Sequence, residues 1–279
     1  MHSQDIIVPL EWTPRSLRAL KAARVLAEQT GRDLHLVSVI PAESSSDERR
    51  RAMEHAAHDY GLKSPHITIL NADLVSFAVG AQEGSLWRLI AESPDAWICM
   101  STHARNAIGD MLLGSVASEI LDRAERPVVL TGPRFSADWN GPIKMLLVCL
   151  DGSPLAEAII GPAADLAKSM GADLFLVQVH KPHASQIALG HDPLDSGYVQ
   201  HKAAGIKKTH GIQPYWDVLH GKDPARTLTE YVSGYPSAMI AMTTHGHTGL
   251  RKLAFGSVTR DVVHGAYCPV LVLRPTAEG

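Results

Sequence analysis

A chain of 279 residues and 30.1 kDa exceeds one small domain and divides naturally into two, given the usual ~100–200 residues per domain. Its 45% hydrophobic and 20% charged residues exclude a disordered or collagen-like chain, and a net charge of −3 with pI ≈ 6.6 argues against a nucleic-acid partner. Three scattered cysteines (Cys99, Cys149 and Cys268), none in a CxxC pair, argue against a disulfide framework or a zinc site and fit a reducing cytoplasm.

From the N-terminus, Met1–Asp5 passes straight into the apolar run Ile6–Leu10 without the charged and apolar regions of a leader. No apolar run approaches the ~18 residues that a membrane helix needs, so a soluble, unprocessed chain is expected, with no membrane partner. Short continuous apolar runs such as Ile6–Leu10 suit strands buried on both faces of a parallel sheet. A helix is predicted at about 15–29, with Gly31 as its C-cap, then a strand at Leu34–Ile40 and an amphipathic helix at 48–60. Strands are predicted at Leu74–Val79, Trp97–Met100 and Val128–Leu130. Gly and Pro then punctuate 132–142, which marks a boundary.

Beyond that boundary the order recurs. Met145–Leu150 is a strand, and Ser153 is the predicted N-cap of a helix at 154–169, with Pro154 in its first turn and Gly171 at its C-cap. Leu174–His180 is the next strand. The stretch 181–200, rich in His, Pro and Gly, reads as loop. Strands follow at Trp216–Leu219, Ala238–Met242 and Val270–Leu273.

The recurrence is also literal. Residues 6–40 align with 146–180 at a constant offset of 140, and 101–130 with 243–272 at 142, both without a gap. Such a period is far above the ~20–50 residues of solenoid repeats, so the chain is a duplicated domain, 1–138 and 142–279. Alternating strands and helices in each copy predict two tandem open doubly wound α/β/α sandwiches of Rossmann-like type, with five-stranded parallel sheets and right-handed crossovers.

The stretch 243–275, TTHGHTGLRKLAFGSVTRDVVHGAYCPVLVLRP, carries Gly246, nine residues, then Gly256 and Ser257, before a closing Pro-Val-Leu-Val strand. In this it resembles the universal stress protein family, whose members carry G-x-x-G-x9-G-[S/T] between the fourth strand and the last helix. With the Asp151 loop and the second strand, the resemblance spans nearly the whole chain twice, as in the tandem members of the family. It implies binding of ATP, with Mg²⁺ as companion ion, by some members and not by others, and a place in the stress response. It also implies that Asp151 lies near the ribose or adenine and that the backbone of Val179 meets the adenine edge. Thr243 stands where the motif has its first glycine, and Thr243, Gly246, Gly256, Ser257 and Val258 are the expected phosphate-binding stretch.

The physics of that stretch stands independently. Phosphates need close approach of backbone N–H groups, which a Cβ obstructs, and they gain from a helix N-terminus. A plainer reading makes Ser257 a helix N-cap preceded by a turn glycine. Likewise Asp151-Gly152-Ser153-Pro154 makes a good turn and helix start without any ligand, and Val179 is strand core. Arg251 and Lys252 are candidate charge partners of phosphate, while His103, His245 and His247 lack a third ligand for a metal.

The first copy departs from the pattern. Ser101 and Ala104 replace both leading glycines and Glu11 replaces the aspartate, leaving Gly114-Ser115 without its partners. A lost glycine that held positive φ costs roughly 1 kcal/mol. The second copy is therefore expected to be the better binder. No Walker lysine, nucleophile elbow or poised His–carboxylate pair is present, so no catalytic residue is expected, and any ATP hydrolysis is slow and incidental. The alternative is a ligand-free scaffold whose halves form a pseudo-dimer through their last strands; family members associate along that edge, which also implies homo-oligomers.

Overall fold

The computed structural model describes residues 5–72, 85–102, 120, 121, 124, 126–139, 141–181, 196–244 and 256–275. The first half contains β1 (Ile6–Pro9), a 3₁₀ turn (Ser16–Arg18), α1 (Ala19–Thr30), β2 (Leu34–Pro41), α2 (Ser46–Asp59), β3 (His66–Ala72), α3 (Ser85–Ala91), β4 (Trp97–Ser101) and β5 (Val128–Thr131). The second contains β6 (Met145–Leu150), α4 (Pro154–Glu157), α5 (Ile160–Met170), β7 (Asp173–His180), α6 (Gly197–His210), β8 (Tyr215–His220), α7 (Pro224–Ser233), β9 (Ala238–Thr243), α8 (Ser257–Gly265) and β10 (Val270–Leu273).

The ten strands among the described residues form one sheet in the order β3-β2-β1-β4-β5-β10-β9-β6-β7-β8. Every pairing is parallel except β5 with β10, which is antiparallel in the register Leu130↔Val270, Val129↔Leu271 and Val128↔Val272. The two predicted five-stranded sheets are therefore real but fused at their last strands. That junction spends the edges through which two chains were expected to associate. Among the described residues neither last strand keeps a free edge for a second chain, and β3 and β8 are left as the outer strands.

The central strands β1 and β6 are buried along their whole length, as continuous apolar runs covered on both faces must be. Gly31 and Gly171 close α1 and α5 in the left-handed conformation, at φ 68° and 64°. The helix predicted at 154–169 is broken after Glu157. Pro162 explains the break, because its ring clashes with the carbonyl four residues earlier, at Ala158. The third strand of the first half is His66–Ala72 rather than 74–79, and 74–79 lie outside the described residues. As an outer strand, HITILNA carries polar side chains that a search for continuous apolar runs passes over. A helix, α6, begins at the end of the stretch read as loop.

The boundary segment is packed rather than loose. Phe135 and Trp139 are buried with ring centroids 5.4 Å apart, the Ser136 amide donates to the Tyr267 carbonyl at 3.1 Å, and an Arg18 guanidinium N–H donates to the Pro133 carbonyl. Gly132 passes so close to α8 that a Cβ there would stand 1.8 Å from the Val263 carbonyl oxygen. Gly132→Ala must push α8 away from the junction, a rearrangement of the overpacking kind that costs ~1–3 kcal/mol. A lower denaturation midpoint with unchanged far-UV circular dichroism is the expected result.

On the first-half side, His35 is buried on β2, its Nε2 2.8 Å from Thr68 Oγ1 and its ring edge-on to His66 at 4.5 Å. Burial, with a smaller push from His66 and an opposing pull from Asp5, lowers its pKa from 6.5 to about 4. The unfolded chain thus takes a proton that the folded chain refuses, so stability is full above pH 6.5 and declines as pH falls toward 4. The loss is at most about 3.5 kcal/mol, at ~1.4 kcal/mol per pH unit between 6.5 and about 4. Denaturant titrations at pH 7, 6 and 5 should show a shallower decline in His35→Gln than in the parent; equal slopes would assign the decline elsewhere.

Candidate functional site

From β6 the chain moves outward to β7 and β8, then crosses back to β9 and β10 on the other side. The direction of winding therefore reverses between β6 and β9, and the crevice beyond the carboxyl ends of such strands is where open α/β sheets take ligands. The pairings Val148↔Ala241 and Leu150↔Gln178 bring the ends of β9, β6 and β7 side by side. Thr243, Asp151 and Val179 consequently meet at one end of the sheet.

Asp151 is exposed, and its Oδ1 accepts from the Ser153 amide at 2.9 Å and the Ser153 hydroxyl at 2.6 Å. Between them Gly152 turns the chain at φ +87°. Ser153 Oγ in turn accepts from the Ala156 amide at 3.1 Å, so the predicted N-cap is present with Pro154 behind it. Val179 is half-buried opposite Leu219, packed against the core.

Sequence reasoning missed the neighbours of Asp151. The Tyr198 hydroxyl donates to Glu157 Oε1 at 3.0 Å, and Lys202 Nζ lies 2.5 Å from Glu157 Oε2. Burial first, then the Glu157 bond and the charges of Glu157 and Asp151, push the Tyr198 pKa up. The only signal in the sequence was the spacing of Tyr198 and Lys202, four apart on one helix face.

At the end of β9 the Thr243 carbonyl accepts from Thr259 Oγ1 at 2.8 Å, and the Thr244 amide donates to the Leu273 carbonyl at 2.8 Å. The Gly256 amide donates to the Thr244 carbonyl at 2.7 Å, so the chain returns to where it left. Gly246, His245, His247, Arg251 and Lys252 lie outside the described residues, as do His103, Ala104, Gly114 and Ser115.

Gly256, not Ser257, is the N-cap of α8. It is extended at φ −67° and, being glycine, brings no side chain of its own to cap the helix. Ser257 is exposed in the first helical position and Val258 is 37% exposed beside it. The plainer reading of Ser257 as a cap is therefore corrected: with Gly256 already in the cap geometry, Ser257 comes one residue too late. α2, α4 and α7 begin on side-chain caps from Ser45, Ser153 and Asp223, whereas the N-cap side chains of α1, α5 and α6 make no such bond. With no acidic residue in its first turn, the positive end of the α8 dipole is not answered by a carboxylate of its own helix.

The same position in the first half is built differently. Trp12, at the place of Gly152, takes a left-handed φ of 61°, and its ring packs on the core with the Arg49 guanidinium 5.1 Å from its centroid. Ser101 Oγ donates to the Arg15 carbonyl at 2.9 Å and lies 2.7 Å from Thr131 Oγ1, so its hydroxyl is spent within the fold.

Among the described residues no group of three or more His, Cys, Asp or Glu could hold a metal, and no helix is long and apolar enough to cross a membrane. All three thiols are buried, which pushes the pKa of Cys99 and of Cys268 up to about 12.

The universal stress protein family model matches residues 2–132 and 142–274. A universal stress protein of Mycobacterium tuberculosis is 30% identical over 187 residues, covering 63% of this chain and 61% of the relative. Another from that species is 23% identical over 304 residues, covering 96% and 94%. The chain thus spans less than two thirds of the first relative's length and nearly all of the second's. Among solved structures, a universal stress protein of Archaeoglobus fulgidus superposes with a TM-score of 0.60 at 18% identity, covering all of this chain and 98% of the other. A functionally unknown protein of Pseudomonas aeruginosa gives 0.62 at 18%, covering 98% and 92%. At such identities these two speak to the fold alone.

The contrast between the two serines is open to test. Ser153→Ala removes a cap and should cost ~1 kcal/mol in denaturant titrations, whereas Ser257→Ala should change stability by less than ~0.5 kcal/mol. An equal loss from both would restore the capping role of Ser257.

Proposed function

The chain belongs to the universal stress protein family, and from that premise we propose that it is a regulatory protein of the stress response that binds an adenine nucleotide, ATP with its Mg²⁺, mainly in its second half. The observation that carries the reading is the start of α8: a glycine cap, free of any side-chain cap, at the winding reversal between β6 and β9. In this reading the amides from Ser257 onward receive phosphate oxygens and the Ser257 hydroxyl adds a donor. Asp151, oriented by its turn with Ser153, serves the ribose or adenine, and the Val179 backbone meets the adenine edge. Thr243 is buried and anchors α8 through Thr259, which makes it a supporting residue. No dedicated catalytic group belongs to the proposal; binding biases a conformational or assembly state, and hydrolysis is incidental.

Two features favour a weak or empty first half. An indole replaces a glycine in its first loop, and Ser101 is hydrogen-bonded inside the fold. The second reading, a ligand-free scaffold, draws on the β5–β10 pairing, which makes a pseudo-dimer within one chain.

The test is to denature protein purified without added nucleotide, identify what is released by mass spectrometry and count it per chain. About one equivalent is expected; ATP at 1,000 times its Kd should also stabilise the fold by ~4 kcal/mol. Gly256→Asp supplies a side-chain cap while placing a carboxylate where phosphate would sit. It should keep or raise the melting temperature and lose the nucleotide. Two equivalents would refute the weak first half. No nucleotide and no thermal shift with millimolar ATP and Mg²⁺ would leave the scaffold reading.

A further inference from the structure

The two halves meet about an approximate twofold axis. Val129 and Leu271 occupy equivalent places in β5 and β10 and pair directly with one another, so the axis passes between them. On one face α1 and α5 pack together across it. True symmetry would fill both flanks of this contact alike, yet the side chains differ. Gln29, near the end of α1, crosses to the second half: its Nε2 donates to the carbonyls of Ile143 at 2.9 Å and Met170 at 3.2 Å, and its Oε1 accepts from the Ile143 amide at 2.7 Å. Its equivalent on α5 is Ser169, which is too short to cross and donates back to the Leu166 carbonyl of its own helix at 2.8 Å. The flank that Ser169 fails to fill is an open cleft of about 470 Å³.

That volume lies within the ~300–1,000 Å³ of small-molecule sites, which favour junctions between domains. The axis pair Val129 and Leu271 lines the cleft, Pro127 and Pro162 come from opposite halves, and Trp97 and Arg32 stand together at one side. The Arg32 guanidinium lies 4.1 Å from the centroid of the Trp97 ring, and its Nη1 donates to the Asp95 carbonyl at 3.0 Å. Among the described residues that is its one hydrogen bond, so the planar fork keeps donors in hand. The acids around it are Asp95 and Asp5, with Asp165 on the α5 rim paired to His210 at 3.4 Å.

We propose that this cleft is a second binding site, distinct from the crevice beside α8, for a small planar aromatic molecule bearing one anionic group. The ring lies among Trp97, the two prolines and the Val129–Leu271 floor, and the anion meets the open donors of Arg32. A flat ring suits these walls because stacking on indole and proline faces needs no directional partner, while a carboxylate or sulfonate matches the guanidinium fork. Since both halves line the cleft, its occupant also ties them together.

Anilinonaphthalene sulfonate, an aromatic anion whose fluorescence rises in apolar surroundings, is the probe. Titration of the folded full chain should saturate at one equivalent with a Kd of roughly tens of micromolar, the ordinary efficiency for a ligand of that size. Ser169→Gln places in the cleft the residue that fills the equivalent flank. As Ser169 is exposed on a helix surface, the variant should melt as the parent does and bind the probe at least tenfold more weakly. Arg32→Gln should weaken binding of the sulfonate while leaving that of neutral anilinonaphthalene unchanged. One millimolar ATP should not displace the probe, whether or not the nucleotide reading holds. Absence of saturable binding, full affinity in Ser169→Gln and Arg32→Gln alike, or displacement by ATP would each overturn the proposal.

Discussion

The antiparallel pairing of β5 with β10 organises the rest of the molecule. Val128–Leu130 and Val270–Leu273 are buried apolar strands, and in an isolated half each would be an edge with unpaired N–H and C=O groups. An exposed apolar edge templates aggregation, and covering it with its own duplicate removes the hazard without a partner chain. The outer positions then fall to β3 and β8, whose His66, Thr68, Asn71, Asp217 and His220 make poorer templates than a run of valines. The junction also fixes Gly132 against the carbonyl of Val263 and sets α1 beside α5.

Duplication gave two copies of one loop, and they have taken different local solutions. Asp151-Gly152-Ser153 uses a glycine in its left-handed position and turns its carboxylate onto the helix cap. In Glu11-Trp12-Thr13 a tryptophan holds that left-handed position, a strain of ~1–2 kcal/mol that only surrounding contacts can sustain. Those contacts are visible: core packing and Arg49 on one side of Trp12, and reciprocal bonds between Thr13 and Ser16 on the other, with each amide donating to the other's hydroxyl at 3.0 and 3.1 Å. A loop closed on itself in this way has exchanged adaptability for packing.

Much of this was legible in the sequence because duplication supplied an internal control. Gly31 and Gly171 agreed as helix caps, and the buried runs at Ile6 and Met145 agreed as central strands. What the copies did not share was harder to see. The third strands stand at different spacings and outside both ungapped alignments, so no internal control corrected 74–79 to His66–Ala72. The pairing of the halves through their last strands is the arrangement of the scaffold alternative, but the single continuous sheet followed only from the strand order. At the site, Asp151 and Ser153 were readable because a short turn is local chemistry. Tyr198 and Lys202 come from a helix about 40 residues further on and are brought to Glu157 by packing, which no local pattern encodes.

The first turn of α8 is built differently from those of α2, α4 and α7, whose N-cap side chains accept from their own helices. Where a side chain caps a helix, as Ser45 caps α2 through the Glu48 amide at 3.2 Å, the dipole is partly answered and a donor is spent. At α8 the position is assigned to Gly256, whose extended φ any residue could adopt, so conformation alone does not require a glycine there. What glycine does provide is the absence of a side chain over the amides that follow. The helix nonetheless needs support, and it comes from beneath: Thr259 Oγ1 donates to the Thr243 carbonyl, and the Gly256 amide donates to the Thr244 carbonyl. These bonds hold α8 from the buried side, and Ser257 and Val258 face outward. A helix held at its base in this way needs little further ordering of its first turn, and it is on such preorganisation that the proposed nucleotide contact would draw.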